Sequence, residues 1–159
     1  MVGANRSGGA RTQRFLGVDP RWLGLVFVGG AVGTTLRSLL QSAYGAVPGQ
    51  WPWATFGINV GGSLLLGALL EAIAASGPDA GWRRGLRLGA GTGALGGFTT
   101  YSTFSVETVS LLRSGQVLLA TGYALSSVVA GVLAALLGVR MVRWATRGRR
   151  QQAAAGRAR

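Results

Sequence analysis

The sequence predicts an all-α membrane protein with four transmembrane helices, the third of them broken. Of its 159 residues 48% are apolar and only 13% are charged, whereas a soluble domain carries about a quarter charged residues. Apolar runs long enough to cross a hydrocarbon core of ~30 Å occupy residues 22–44, 54–75, 85–112 and 117–139. Glycine occurs 28 times, often at a spacing of four that permits close helix packing.

The two ends of the chain are polar and differ from this apolar domain at 21–141. Residues 1–20 are rich in glycine and arginine, a composition that favours a disordered basic tail. A signal peptide is disfavoured, because the apolar run continues to residue 44 and three further spans follow. Residues 142–159 form a second basic tail.

The third span has a middle that is unfavourable for a helix. Gly96 and Gly97 carry the entropic cost of glycine, and five hydroxyl residues follow them: Thr99, Thr100, Ser102, Thr103 and Ser105. Non-helical backbone at membrane depth persists only where protein covers it or where it lines a watery cavity. This stretch therefore predicts a broken helix with free carbonyls and a hydroxyl-rich wall, which is typical of an ion site.

Four other polar side chains stand out within the spans. Asn59 is the one amide in the second span, and because an unpaired buried amide costs about 1–3 kcal/mol, we expect it to face protein or a pore. Tyr123 and Ser127 share one face of the fourth span with Gly131; this face either packs against a helix or forms a polar track. Arg37 in the first span either reaches an interface or attracts anions to a vestibule.

Three motifs resemble the Fluc/CrcB fluoride ion channel family. They are GGAVGTTLR at 29–37, TFGINVGGSLLLG at 55–67 and GGFTTYSTFSVE at 96–107, and the last resembles the family signature GGxTTFSTFS followed by an acid. The resemblance spans roughly residues 22–140. It implies a multi-pass protein of the plasma membrane that exports fluoride passively and selectively and so lowers its cytoplasmic concentration.

The resemblance also implies an architecture and a set of site residues. Channels of this family are described as antiparallel, dual-topology dimers of four-helix subunits with two pores. The spans also offer hydrogen-bond donors and aromatic ring edges. Together with these, the resemblance implies that seven residues line the pore: Asn59, Tyr101, Ser102, Thr103, Phe104, Tyr123 and Ser127. Position 101 departs from the family, which has phenylalanine there, and Gly131 shortens the polar track.

A structural sodium ion at the centre of the dimer is a further implication of the resemblance. Its ligands would be backbone carbonyls at the break of the third helix, which correspond here to Gly96 and Thr99. Carbonyl oxygens suit a hard cation, and the C-terminal end of a half-helix carries partial negative charge.

The charge distribution predicts a fixed orientation in the membrane. All sixteen basic residues are arginine, and all but Arg37 and Arg113 lie at the termini or near the loop between spans two and three. The positive-inside rule places that side, with both termini, in the cytoplasm against anionic lipid. Because dual insertion requires balanced charge, we hypothesise pairing with a separate, oppositely oriented homologue. Nucleic acid is disfavoured as a partner, since no binding module accompanies the charge.

Other functional classes are disfavoured by what the chain lacks. With no cysteine or histidine and four acids, the sequence offers no transition-metal site or nucleophile–base pair, so we expect no enzyme. The alternative that we retain is a proton-coupled small multidrug-type exporter, which requires a membrane-buried acid. Glu71 and Glu107, the only acids in the spans, lie toward their ends and argue against it. A subunit without transport activity would need no clustered hydroxyls.

Overall fold

The computed structural model describes the backbone of residues 19–157 and the side chains of residues 19–147. Its elements are α1 Pro20–Ala43, α2 Trp53–Ser76, α3 Trp82–Leu86, a π-helical segment Arg87–Leu95, α4 Gly96–Phe98, α5 Tyr101–Arg113 and α6 Val117–Arg157. No strand occurs in residues 19–157, which confirms the all-α class. The tail predicted to be disordered at 1–20 lies outside the described residues except for its last two.

Among the described residues, three helices are long and apolar enough to cross a membrane. They are Pro20–Ala43, Trp53–Ser76 and the Val117–Arg147 part of α6. The third predicted span, 85–112, is instead interrupted by a break. The part before the break consists of α3, the π segment and α4, and the part after it is α5. Thr99 and Thr100 separate the two parts in extended backbone, with ψ 156° at Thr99 and φ −145° at Thr100.

The position of this break differs from the sequence expectation. Gly96 and Gly97, which were expected to lie in the non-helical joint, form the helical α4 with Phe98. Packing explains the difference, because a Cβ on Gly97 would lie 2.6 Å from the Gly30 carbonyl oxygen of α1. Gly97 therefore serves close helix contact, and the chain leaves the helix only at the β-branched Thr99 and Thr100.

The last helix also differs from the expectation. The fourth span was predicted to end at residue 139, but α6 continues through the predicted basic tail to Arg157. An ion pair joins this extension to α2, with Arg143 Nε 3.0 Å from Glu71 Oε1. Residues 140–147 are thus an ordered helical continuation at the end of the molecule where α2 ends.

Glycines set the two main helix contacts. A Cβ on Gly29 or Gly33 of α1 would overlap a carbonyl oxygen of the segment that runs from the π helix into α4, and a Cβ on Gly67 of α2 or Gly138 of α6 would overlap the facing helix. The backbones of α1 and the π segment, and of α2 and α6, therefore touch directly. On the outer surface large apolar side chains are exposed, including Phe27 at 78% and Leu118 at 89%, as suits a lipid-facing surface.

Candidate functional site

The break in the third span is held by the side chain of Asn59. Asn59 Nδ2 donates to the Thr100 carbonyl at 3.0 Å, and the Thr100 N–H donates to Asn59 Oδ1 at 2.8 Å. One amide from α2 therefore satisfies both backbone groups of a residue that has left the helix. An amide nitrogen carries two N–H bonds, so one donor of Asn59 is not used on Thr100.

Hydroxyl groups cap the N-terminus of α5 immediately after the break. Thr100 is its N-cap: Thr100 Oγ1 accepts from the Thr103 N–H at 3.1 Å. The same hydroxyl donates to Thr103 Oγ1 at 3.0 Å and lies 3.2 Å from Ser102 Oγ. The sequence predicted that these hydroxyls belong to an ion site. In the structure they cap a helix and form hydrogen bonds with one another.

A cavity of about 220 Å³ lies beside this joint. Four of the seven predicted pore residues line it, together with Thr100 and Val128: Asn59, Tyr101, Phe104 and Ser127. The rings of Tyr101 and Phe104 are 6.0 Å apart between centroids, as expected for residues three apart on a helix. The remaining three predicted pore residues, Ser102, Thr103 and Tyr123, are not part of its lining.

Ser127 brings a buried hydroxyl to this cavity. Its Oγ is inaccessible to solvent and has no hydrogen-bond partner among the described residues. Buried polar atoms in proteins are almost always paired, so an unpaired hydroxyl in a cavity wall is suited to a ligand. The neighbouring Ser126, by contrast, bonds the Tyr123 carbonyl of its own helix at 3.2 Å.

Tyr123 lies behind the cavity in a cluster that sequence reasoning did not find. Its ring is fully buried, 5.3 Å from the Phe104 ring, and its hydroxyl donates to Glu107 Oε2 at 2.8 Å. Thr55 donates to the other oxygen, Glu107 Oε1, at 2.8 Å. A signal was present, because an acid inside an apolar span requires partners, but the partners come from α2 and α6 and are distant in sequence.

Glu107 also borders a second cavity. This space, of about 120 Å³, is lined by Glu107, Ser110 and Leu111 of α5 and by residues of the loop between α1 and α2. That loop lies at the end of the molecule opposite the arginine-rich end. The carboxylate therefore lies between the buried Tyr123 and an opening beneath the loop.

Arg37 is half-buried on α1. Its Nε atom is inaccessible to solvent and has no partner among the described residues. The guanidinium is not part of the lining of the 220 Å³ cavity. The structure thus places Arg37 near protein rather than fully in lipid, and its vestibule role stays a prediction.

Carbonyl oxygens at the break are suitable ligands for a hard cation. In a continuous helix the Gly96 carbonyl would accept from the Thr100 N–H and the Thr99 carbonyl from the Thr103 N–H. Both donors are diverted, to Asn59 Oδ1 at 2.8 Å and to Thr100 Oγ1 at 3.1 Å. The described residues contain no group of three or more His, Cys, Asp or Glu side chains near one another. The two carbonyls predicted as sodium ligands thus lack their helical donors.

Comparison with known proteins places these features in a family. A family profile described as "CrcB-like protein, Camphor Resistance (CrcB)" matches residues 24–139. The chain is 46% identical over 134 residues to a protein of Cutibacterium acnes named "Fluoride-specific ion channel FluC 1", which covers 84% of this chain and 94% of that relative.

Two further relatives carry the same kind of name. "Fluoride-specific ion channel FluC 2" of Leifsonia xyli is 50% identical over 115 residues, with 72% of this chain and 79% of the relative covered. "Fluoride-specific ion channel FluC" of Novosphingobium aromaticivorans is 46% identical over 121 residues, with 74% and 93% covered. These matches confirm the resemblance seen in the three motifs. The chain belongs to the Fluc/CrcB family of ion channels and is a multi-pass protein of the plasma membrane rather than an enzyme.

Proposed function

We propose that this chain forms a passive, fluoride-selective channel that exports fluoride and lowers its cytoplasmic concentration. The observation that carries the proposal is the cavity of about 220 Å³ at the broken helix, lined by Asn59, Ser127 and two aromatic rings. The names of the relatives of this chain specify the same ion, fluoride.

The cavity lining suits a small, strongly hydrated anion. Asn59 retains one N–H beyond the Thr100 bond, and the Ser127 hydroxyl has no partner among the described residues. Aromatic rings present a positive edge, which the Tyr101 and Phe104 rings contribute to the wall. All six lining residues are uncharged, so an anion would lose water to several weak donors without being trapped by a fixed cation.

Four membrane crossings follow if the two parts of the broken helix together form the third. The part before the break includes α3, the π segment and α4, and the part after it is α5. Asn59 pairs both backbone groups of Thr100, so the extended joint is tolerated at membrane depth.

An antiparallel dimer is the assembly that we propose. An apolar groove of about 400 Å³ runs along α2 beside Phe98, next to the break. Gly57 and Gly61 line it, and a Cβ on either would meet no atom within 4 Å. Since other glycines of α1, α2 and α6 are in tight helix contacts within the subunit, this open pair supports close approach of a second subunit.

A structural sodium ion at the dimer centre is part of the proposal. The Gly96 and Thr99 carbonyls, whose helical donors are diverted to Asn59 and Thr100, would hold it together with their counterparts in the second subunit. When bound, the cation supplies positive charge that offsets the carbonyl dipoles at the end of α4.

A distinct homologous subunit is the partner that the charges favour. All but two of the sixteen arginines lie at one end of the proposed four-helix arrangement. Such a bias fixes one orientation with both termini in the cytoplasm, so an antiparallel partner would be a chain with the opposite bias.

Anion efflux from liposomes tests the channel. The protein is purified from membranes of its own host, so that any partner subunit is retained, and reconstituted with fluoride or chloride inside. We expect fluoride to leave rapidly, chloride to stay, and collapse of the proton gradient to have no effect. Equal release of both anions would refute selectivity. Release that requires a proton gradient would instead favour the exporter alternative.

A further inference from the structure

The arginine-rich end of the molecule holds more cations than its acids can pair. Within the described part of the chain, three acids at this end each form one ion pair: Asp19 with Arg21, Asp79 with Arg87, and Glu71 with Arg143. The pair with Arg87 lowers the pKa of Asp79, mainly through the hydrogen bond to the guanidinium. The fourth acid of the chain, Glu107, bonds Thr55 and Tyr123 instead. Arg83 and Arg84 therefore have no carboxylate partner among the described residues.

Arg84 is held against an indole ring. Its guanidinium carbon lies 5.7 Å from the centroid of Trp22 on α1, and that of Arg21 lies 5.0 Å from the same ring. Gly85 makes room for this packing, because a Cβ there would lie 3.1 Å from Trp22 Cζ3. The start of α1 and the start of α3 thus meet at one tryptophan that presents Arg84 in a restricted position.

Arg83 is oriented beside it in a similar way. Its guanidinium carbon lies 5.1 Å from the centroid of Trp82, and its Nε donates to Ser76 Oγ at 3.0 Å. A guanidinium that lies over an aromatic ring can still use its N–H donors for other acceptors. Two neighbouring arginines, each beside a tryptophan ring, therefore present donors that no acid of the described chain uses.

The surface next to these arginines is apolar. Leu23 and Phe27 of α1 and Leu86 of α3 are exposed, with Phe27 at 78%. Tryptophans mark the level of the membrane interface in multi-pass proteins, and Trp22 and Trp82 both lie here. The donors thus lie where a lipid headgroup meets the protein, with room for acyl chains alongside.

We propose that Trp22, Trp82, Arg83 and Arg84 form a binding site for the headgroup phosphate of an anionic phospholipid. Phosphate oxygens accept paired N–H bonds from a guanidinium, and Arg84 has its full set of donors free of carboxylates in the described structure. The acyl chains of the lipid lie along Leu23 and Phe27. None of these four residues lines the ion cavity, so lipid binding at this site can be tested independently of fluoride conduction.

Lipid binding by the full-length protein tests the site. Phosphatidylglycerol and phosphatidylcholine are titrated onto the detergent-solubilised protein, and bound lipid is counted by native mass spectrometry. We expect tighter binding of phosphatidylglycerol and a loss of about fivefold in its affinity for Arg84→Gln, which corresponds to about 1 kcal/mol per arginine near an anionic group. Arg84→Lys, which keeps the charge without the planar fork, should restore only part of the loss.

Arg113→Gln is the matched control. Arg113 is exposed at the C-terminal end of α5 and is not part of the α1–α3 site, so this variant removes the same charge away from the site and should bind phosphatidylglycerol like the parent. If Arg84→Gln and Arg113→Gln lose affinity for phosphatidylglycerol equally, the effect is one of net charge and the proposal is overturned. Full binding by Arg84→Gln, equal binding of phosphatidylcholine, or displacement of the lipid by millimolar inorganic phosphate alone would overturn it as well. Circular dichroism of each variant verifies folding.

Discussion

Replacing Asn59 by aspartate changes one atom at the point where α2 holds the broken helix. The carboxylate can still accept from the Thr100 N–H, which lies 2.8 Å from Oδ1 in the parent. Its second oxygen, however, takes the place of Nδ2, which donates to the Thr100 carbonyl at 3.0 Å. One hydrogen bond becomes a contact between two acceptors, and a negative charge enters the wall of the cavity.

These two changes have different magnitudes. Leaving the buried Thr100 carbonyl without its donor costs about 1–3 kcal/mol of folding free energy, so we expect a destabilised but folded protein. The charge acts on the ion: two unit charges about 4 Å apart repel by about 4 kcal/mol at an effective dielectric constant of about 20. That barrier corresponds to a loss of fluoride flux of more than a hundredfold.

A fluoride electrode outside proteoliposomes measures the flux, and thermal unfolding measures the stability. Gln116→Glu is the control, since it makes the same change from amide to acid at the turn before α6, outside the cavity lining. We expect the control to conduct like the parent. If Asn59→Asp also conducts like the parent, fluoride does not pass this cavity and the placement of the pore is refuted.

Four further predictions address the cavity, the dimer, the cation and the topology. Ser127→Ala removes the unpaired hydroxyl and should lower fluoride flux about tenfold or more with unchanged stability, whereas Ser126→Ala should leave both unchanged; equal flux in the two variants would remove Ser127 from the pore. Gly61→Leu should dissociate the dimer in size-exclusion chromatography, while Gly24→Leu, at a site equally free of neighbours, should not; an intact Gly61→Leu dimer would place the interface elsewhere. Complete exchange of sodium for a large organic cation should lower the thermal stability of the dimer, because the carbonyls at the break lose their counter-charge, and an unchanged melting temperature and flux would contradict the sodium site. Membrane-impermeant labelling of intact cells should modify only the first of two single cysteines, one at Gly49 and one at Arg147, and comparable labelling of both would indicate dual topology.

The amino-acid sequence by itself determined the helical class and the general position of the irregular joint. Both depend on local properties: apolar runs of membrane length, glycine entropy and β-branched threonines act within a few residues of one another. The family assignment likewise followed from contiguous motifs, and the comparisons confirmed it. The pairing of Tyr101 with Phe104 was also predictable, because a spacing of three brings two rings to one side of a helix.

Only the tertiary structure decided which atoms meet at the site. Asn59 and Thr100 are 41 residues apart, and Tyr123 reaches Glu107 from another helix, so no local pattern reveals these partners. Gly97 remains helical where α1 packs directly against it, which is a contact that overrides intrinsic propensity. The helix opens at Thr99 and Thr100 because Asn59, on a different helix, supplies the two hydrogen bonds that the backbone of Thr100 would otherwise lack in the membrane.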